Sequence, residues 1–458
     1  MAPARRRKET VAPSATFAER RARGLRARVT VPLEDQAIFD PTSLRLDPVQ
    51  LLERQGADRV AELLPIRYGR MSTSPFAFYR GGALLMAGDL ASTPNSGLRV
   101  QLCGDAHVGN FGFYATPERN LVFDLNDLDE TLPGPFEWDV KRLAASLEIA
   151  ARSQSFRRSE TRTIVLGAVR AYREAMRRFA AMPNQAVWYA RLDAEQVLAE
   201  LRGNTTPGRL RKAESLLAKA PTRDSLHAFS RLTEVVDGQS RIASVPPLIV
   251  PVEEVFSAEA ARALFEHMGE LLAAYRASLA SDRQCLFDQY RFVHLARKVV
   301  GVGSVGTRAW ILLFEGLDSG DPLFLQAKEA QSSVLEPYLG VSEYANHGER
   351  VVAGQRLLQA ASDIFLGWQR TNGIDGVDRD YYLRQLRDWK ASAELEGSVP
   401  GGMAVYARIC GWTLARGHAR SGERVAIASY LSKQDTFDQA VADFAVAYAD
   451  QNDKDHAA

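Results

Sequence analysis

The sequence predicts a mixed α+β chain, with a large, mostly helical lobe and a small β-rich lobe. Three observations carry this. Apolar residues recur at helical spacing over much of the 458 residues, as at Leu143, Ala144, Leu147 and Ala151. Two short apolar runs end in acid-rich loops, "CGDAHVGN" and "FDLNDLDE". From Phe292 the texture shifts to small, β-branched and aromatic residues around glycines. The expected divisions are 1–40, a basic and partly disordered segment; 41–290, a helical lobe carrying the acid loops; 291–390, the β-rich lobe; and 391–458, helices returning to the large lobe.

The elements follow in order. Val49, Leu51, Leu52, Val60, Leu63 and Leu64 lie roughly on one helical face, and Pro65 is expected to stop that helix. The acid loops sit at the ends of two strands. "EWDVKRLAASLEIAARS" is a helix, and a mostly helical stretch runs from Glu160 to about Ala280. "HLARKVVGVGSVGTRAWILLFEG" reads as a hairpin and "PLFLQAKEA" as the next strand. "GERVVAGQRLLQAASDIFL" is an amphipathic helix, "DYYLRQLRDWK" a further strand, and the remainder helical.

Composition narrows the function. Hydrophobic residues make up 46% and charged residues 25%, an ordinary globular balance. A net charge of +1 supplies no overall field toward nucleic acid. Cys103, Cys285 and Cys410 form no CxxC pair, which argues against a zinc ribbon or disulfide framework and for a reducing, cytoplasmic home. No apolar run is long enough to cross a bilayer. The arginine-rich start reads as a solvated tail; contact with nucleic acid or acidic lipid is the alternative.

The acid loops carry the chemistry. A hairpin-like return would gather Asp105, Asn110 and Asp124. Two carboxylates and an amide oxygen offer hard oxygen ligands of the kind Mg²⁺ accepts, with water and phosphate completing the shell. A remaining carboxylate can take a proton from an attacking hydroxyl. His107 either contacts phosphate or braces the turn. Asp127, Asp129 and Glu130 offer a second metal site or a seat for a cation. An EF-hand fails, because Leu128 and Asp129 fall where an acid and a glycine are required. A metal-dependent hydrolase stays open, as does plain turn and helix capping by these acids.

"VVGVGSVGTR" places Gly301, Gly303 and Gly306 in a G-x-G-x-x-G pattern, with Ser304 inside it. A strand follows instead of a helix, so a Rossmann turn is disfavoured. A glycine flap that brings bare backbone to nucleotide phosphates suits the pattern. Such a flap predicts a lysine on the next strand, which is Lys328. A helix acid should orient that lysine: Glu349, with Glu336 and Gln355 as rivals. Arg384 and Arg387 could pair with the acids or the phosphates, with ordinary strand-surface roles the default.

The D-x-x-x-x-N spacing with a following strand-end Asp resembles protein kinases. "GDAHVGN" is closer to the aminoglycoside and choline phosphotransferases. That resemblance implies a two-lobe kinase-like fold, Asp105 as catalytic base, Asn110 and Asp124 as Mg²⁺ ligands, and ATP as phosphoryl donor. It departs from the family at Cys103, where members usually carry His. The glycine flap and lysine follow the catalytic loop here, whereas in kinases they precede it, so the resemblance implies a circularly permuted chain. "RYGRM", "SPFAFYRG", "FDLNDLDE" and "GQRLLQAASD" also resemble a bacterial family of uncharacterised proteins, domain of unknown function 2252. The expected activity is an ATP- and Mg-dependent phosphotransferase acting on a hydroxyl of a small molecule or protein. A metal-dependent hydrolase, a catalytically silent nucleotide-binding module and AMP transfer are the alternatives.

Overall fold

The computed structural model describes residues 15–41, 45–222, 224–299, 301–317, 320–373, 375–386, 389–391 and 396–458. The chain is a mixed α+β protein with several small sheets. The expected "RRRKE" tail and Arg387 lie outside the described residues.

The helical part is organised around the helix Phe136–Ser153, which is buried from Phe136 to Ala151. A helix buried all round must satisfy its own charged side chains; Asp139 and Arg142 do so at the first acid loop, whereas Glu137 accepts from the Ser96 amide and Lys141 donates to Thr93. The helices Arg158–Ala181, Pro400–Ser421 and Thr436–Ala457 surround it. Gly411 lets the second of these press onto the Ala168 carbonyl of the first, where a Cβ would collide.

Part of the expected loose tail is a helix, Phe17–Thr30, capped by a reciprocal Thr16–Glu19 capping box. It lies on the helix Arg424–Leu431 because Gly24 has no side chain to strike the Ala426 carbonyl. Arg28 also donates to the carbonyls of Ser429 and Tyr430. Pro65 likewise does not end a helix. It opens one, Leu64–Met71, at a first-turn position where proline's missing N–H has no partner to lose.

The β-rich part is one antiparallel sheet of six strands. In spatial order these are Gly367–Asn372, Asp378–Gln385, Pro322–Ala330, Ala309–Gly316, Tyr290–Lys298 and Ile249–Pro251. One face is covered by the helix Ala258–Ala277 through Met268, Tyr275, Leu295, Leu325 and Leu383. The helix His347–Leu358 places Val351 and Val352 against Ala330, Leu366 and Tyr382.

The stretch expected to be helical up to Ala280 contains strands. Thr233–Val236 and Gln239–Ile242 form a hairpin whose turn residues, Asp237 and Gly238, have φ of 51° and 76°. Two consecutive left-handed residues give the turn twist that hairpins favour, and Asp-Gly supplies them.

No helix among the described residues is long and apolar enough to cross a membrane.

Candidate functional site

The first acid loop leaves the strand Arg99–Leu102 and returns as Phe111–Ala115, which pairs with Leu121–Leu125. Phe111 faces Leu125 across this hairpin, so Asn110 and Asn126 emerge side by side. The Asn126 amide donates to the Asn110 carbonyl at 2.9 Å. Asn110 then locks the two loops together. Its Oδ1 accepts from the Asp127 amide at 2.8 Å, and its Nδ2 donates to the carbonyls of Asp105 and Asp127 at 3.0 and 2.7 Å.

The central helix holds the first loop from behind. Asp139 accepts from the amides of Cys103 and Gly104 at 2.6 and 3.0 Å, and His418 Nε2 lies 3.1 Å from the same carboxylate. His418 is fully buried in this bracing role and also meets the Tyr172 hydroxyl at 2.9 Å. Gly104 has φ +83°, and a Cβ there would strike the Glu130 carbonyl. One turn along the helix, the buried Arg142 donates to Asp105 Oδ1, with N–O distances of 2.8 and 2.6 Å.

Asp105 thus stands on a fixed base with its side chain 23% exposed, facing a cleft of about 570 Å³. Opposite it is the loop joining Tyr290–Lys298 to Ala309–Gly316. Gly301, Val302, Gly303, Ser304 and Thr307 from that loop line the cleft, as do His107, Asn110, Asn126, Asp127, Asp129 and Glu130. Gly301 and Gly306 take left-handed φ of 63° and 92°. The loop is tied down at its carbonyls: Arg59 donates to Gly303 and Val305 at 2.7 and 2.5 Å, and Arg70 to Gly301 at 2.5 Å.

Lys328 joins the two sides. Its Nζ lies 2.9 Å from Asp127 and 3.0 Å from Asp129, and it is itself only 5% exposed. Its strand neighbour Tyr382 hydrogen-bonds Asp129 through its hydroxyl. Burial opposes charge on both carboxyls. Lys328 and Arg384 nevertheless hold Asp127 well below the usual carboxylate range, while Asp129, next to the charged Asp127, is raised. Burial also lifts Glu130 to about 7, with Asp129 and Asp105 adding to the lift. Burial lowers His107 to about 4, with Arg80 and Arg142 nearby contributing. His107 Nε2 is 3.9 Å from Asp105.

Three expected site residues are engaged elsewhere, the first being Asn110, whose amide oxygen accepts from the Asp127 amide. Asp124 is fully buried and does not line the cleft. Successive strand side chains alternate faces, and Asp124 points inward to an ion pair with Arg416, 1% exposed. It also accepts from the Ala360 and Leu125 amides at 2.7 and 2.9 Å. Glu349 does not meet Lys328; its amide donates to Asn346 at the helix start. The neighbouring Arg350 reaches the acid loop instead, donating to the carbonyls of Asp129 and Thr131 at 2.9 and 2.7 Å. The rivals fare no better: Glu336 lies 3.7 Å from His347, and Gln355 lines a separate small cavity.

Sequence reasoning missed Arg80, Asp139, Arg142 and Lys390. Asp139 and Arg142 had a signal: they stand three apart on one helix, which puts both on the face toward the loops. Arg384, expected on a strand surface, is buried and donates to the Asn126 carbonyl at 2.8 Å. Burial and Arg384 together lower the Lys390 ammonium to about 7.

Among the described residues, no three His, Cys, Asp or Glu side chains are grouped to hold a metal ion by themselves. Asp127 and Asp129, converging on one cation, make a two-carboxylate oxygen donor set. That set suits Mg²⁺ bound jointly with water and phosphate.

Residues 59–458 match the family described as "Uncharacterized protein conserved in bacteria (DUF2252)". The chain belongs to that family. No curated protein and no solved structure matches it.

Proposed function

We propose that this chain is an Mg-ATP-dependent phosphotransferase acting on a hydroxyl, built as a circularly permuted kinase-like pair of lobes. One observation carries the reading: Lys328, 2.9 Å from Asp127, ties the sheet to the acid loops, whose Asp127 and Asp129 line one cleft together with Asp105 and the glycine loop. The chain order within the sheet supports it: glycine loop, lysine strand, helix, then Asp378–Gln385. This is the order in which a nucleotide lobe needs them.

Each residue has a role in this scheme. Asp105 accepts the proton of the attacking hydroxyl; Arg142 fixes one of its oxygens and keeps the carboxylate aimed into the cleft. Asp127 and Asp129 would hold Mg²⁺, with Asn110 fixing the loop that carries Asp127. When bound, the ion neutralises phosphate charge as it builds on the leaving oxygen. Lys328 grips the phosphates of the nucleotide. Gly301, Gly303, Ser304 and Gly306 cover the phosphates with backbone and exclude water. Most of the rate then comes from positioning and charge. The free thiols Cys103, Cys285 and Cys410 suit a reducing cytoplasm.

The test is calorimetric titration with ATP, with and without Mg²⁺, on the intact chain and on Asp105→Asn. Binding of ATP that strengthens with Mg²⁺, and that persists in the variant while ADP release collapses, is the expected result. No binding of ATP at millimolar concentration with Mg²⁺ present refutes the proposal. Equal ADP release by both proteins refutes the role of Asp105.

A further inference from the structure

Several cations border the acid loops or the glycine loop with hydrogen bonds or ion pairs there, Arg70 and Arg350 among them. Arg59 donates to the glycine-loop carbonyls at 2.7 and 2.5 Å. Arg142 is paired with Asp105 at 2.6 Å. Arg384 donates to Asn126 at 2.8 Å. Lys328 is held by Asp127 and Asp129. Arg80, in the last turn of the helix Pro75–Gly81, is placed differently.

Arg80 lines the cleft beside Asp105, His107 and Gly109. Its Nε is buried and has no hydrogen-bond partner, and the guanidinium forms no ion pair among the described residues. Two glycines lie against this residue. A Cβ on Gly109 would come within 3.8 Å of the Arg80 Nε, and a Cβ on Gly303 would lie 3.2 Å from the Arg80 carbonyl. The glycine loop therefore closes directly on the residue that supplies this cation. A planar, multidonor cation half-withdrawn from water, near the Asp105 carboxylate but with no hydrogen bond to it, is poised to receive a second anion.

We infer that Arg80 is a catalytic residue that binds the terminal phosphoryl group of the nucleotide, an arginine supplied from within the chain to the group in transfer. This rests on the phosphotransferase reading and extends it. The acceptor oxygen bonds to the γ-phosphorus as the bond from that phosphorus to the β,γ-bridging oxygen breaks. The electron pair of the broken bond leaves on ADP, and the hydroxyl proton passes to Asp105. Arg80 donates to the non-bridging oxygens of the phosphoryl group. In-chain and partner-supplied arginines of this kind raise turnover by roughly 10³–10⁵-fold.

The experiment compares ADP with the non-hydrolysable analogue AMP-PNP, both with Mg²⁺, by calorimetry on the wild-type chain, Arg80→Ala and Arg80→Lys. Arg80→Ala should weaken AMP-PNP at least about tenfold, the worth of a charge-assisted hydrogen bond, and leave ADP within about twofold. Arg80→Lys, which keeps the charge and loses the fork, should fall between wild type and Arg80→Ala for AMP-PNP. Loss of both ligands alike, or of neither, in Arg80→Ala overturns the assignment while leaving nucleotide binding intact in the wild type. A wild-type chain that binds neither ligand overturns the phosphotransferase reading and this assignment with it.

Discussion

Asp124→Asn and Asp127→Asn, made separately, should have opposite consequences. Asp124 and Arg416 are 0% and 1% exposed in their ion pair. Removing one charge leaves the other buried without compensation, which costs about 3–5 kcal/mol. Unfolding entropy of ~2 cal/mol/K per residue over 458 residues gives about 1 kcal/mol per degree. Asp124→Asn should therefore lower Tm by about 3–5 °C if the chain melts as one unit, and more if a lobe melts alone. Asp127 is 40% exposed in its pair with Lys328, and Asp129 remains to hold the lysine. Asp127→Asn should cost about 1 kcal/mol or less, and so move Tm by about a degree. Scanning calorimetry gives the Tm values, and ATP titration with and without Mg²⁺ gives the ligand effect. Asp127→Asn should abolish the Mg²⁺ enhancement, and Asp124→Asn should retain it below its Tm. An Asp124→Asn protein of unchanged Tm that has lost the Mg²⁺ effect would refute the reasoning and return the metal role to Asp124.

Other consequences can be checked alongside. The folded chain keeps the Glu130 proton up to about pH 7, against 4.5 for an ordinary Glu. Its raised value contributes stability that is complete below 4.5 and lost as pH rises through about 7. The same charge, appearing in the cleft, should weaken ATP binding over that rise, and Glu130→Gln should flatten the dependence; an unchanged profile in the variant would count against it. Gly104→Ala combines a left-handed φ of 83° with a collision at the Glu130 carbonyl. It should displace Asp105 and cut ADP release by at least about tenfold, measured with Tm as a control. Gly24→Val should free the helix Phe17–Thr30 from Arg424–Leu431. Limited proteolysis should then cut within residues 17–30, while a wild-type digestion pattern would contradict the packing argument.

The strands and helices that sequence made legible are those with an unmixed period. "PLFLQAKEA" falls where expected because it is a short apolar run buried on both faces at the sheet's centre, and the helix at Val351 and Val352 because one apolar face meets the sheet. The hairpin at Asp237–Gly238 was hidden because its strands are mostly half-exposed and carry little alternation; only the Asp-Gly turn signalled it. The segment around Gly24 looked like a tail because its charge was visible and its contact was not. That contact depends on a missing side chain. In the site, Asp105, Lys328 and the glycine loop stood out by type and spacing; Asp105 and the glycine loop line one cleft, and Lys328 is paired with Asp127 of that lining. Strand alternation decides between Asp124 and Asp127, and a single-residue difference in where a strand ends reverses which acid faces solvent. Arg80 and Lys390 had no sequence signal, since they reach the cleft from elements that periodicity treats as ordinary surface.

The most direct test of the central claim is a crystal structure of the chain grown with AMP-PNP and Mg²⁺. The account predicts triphosphate density between Lys328 and the Gly301–Gly306 loop, with the ion against Asp127 and Asp129 and the γ-phosphate within reach of Asp105. Nucleotide bound on another face of the molecule, with this cleft filled only by water, would contradict it.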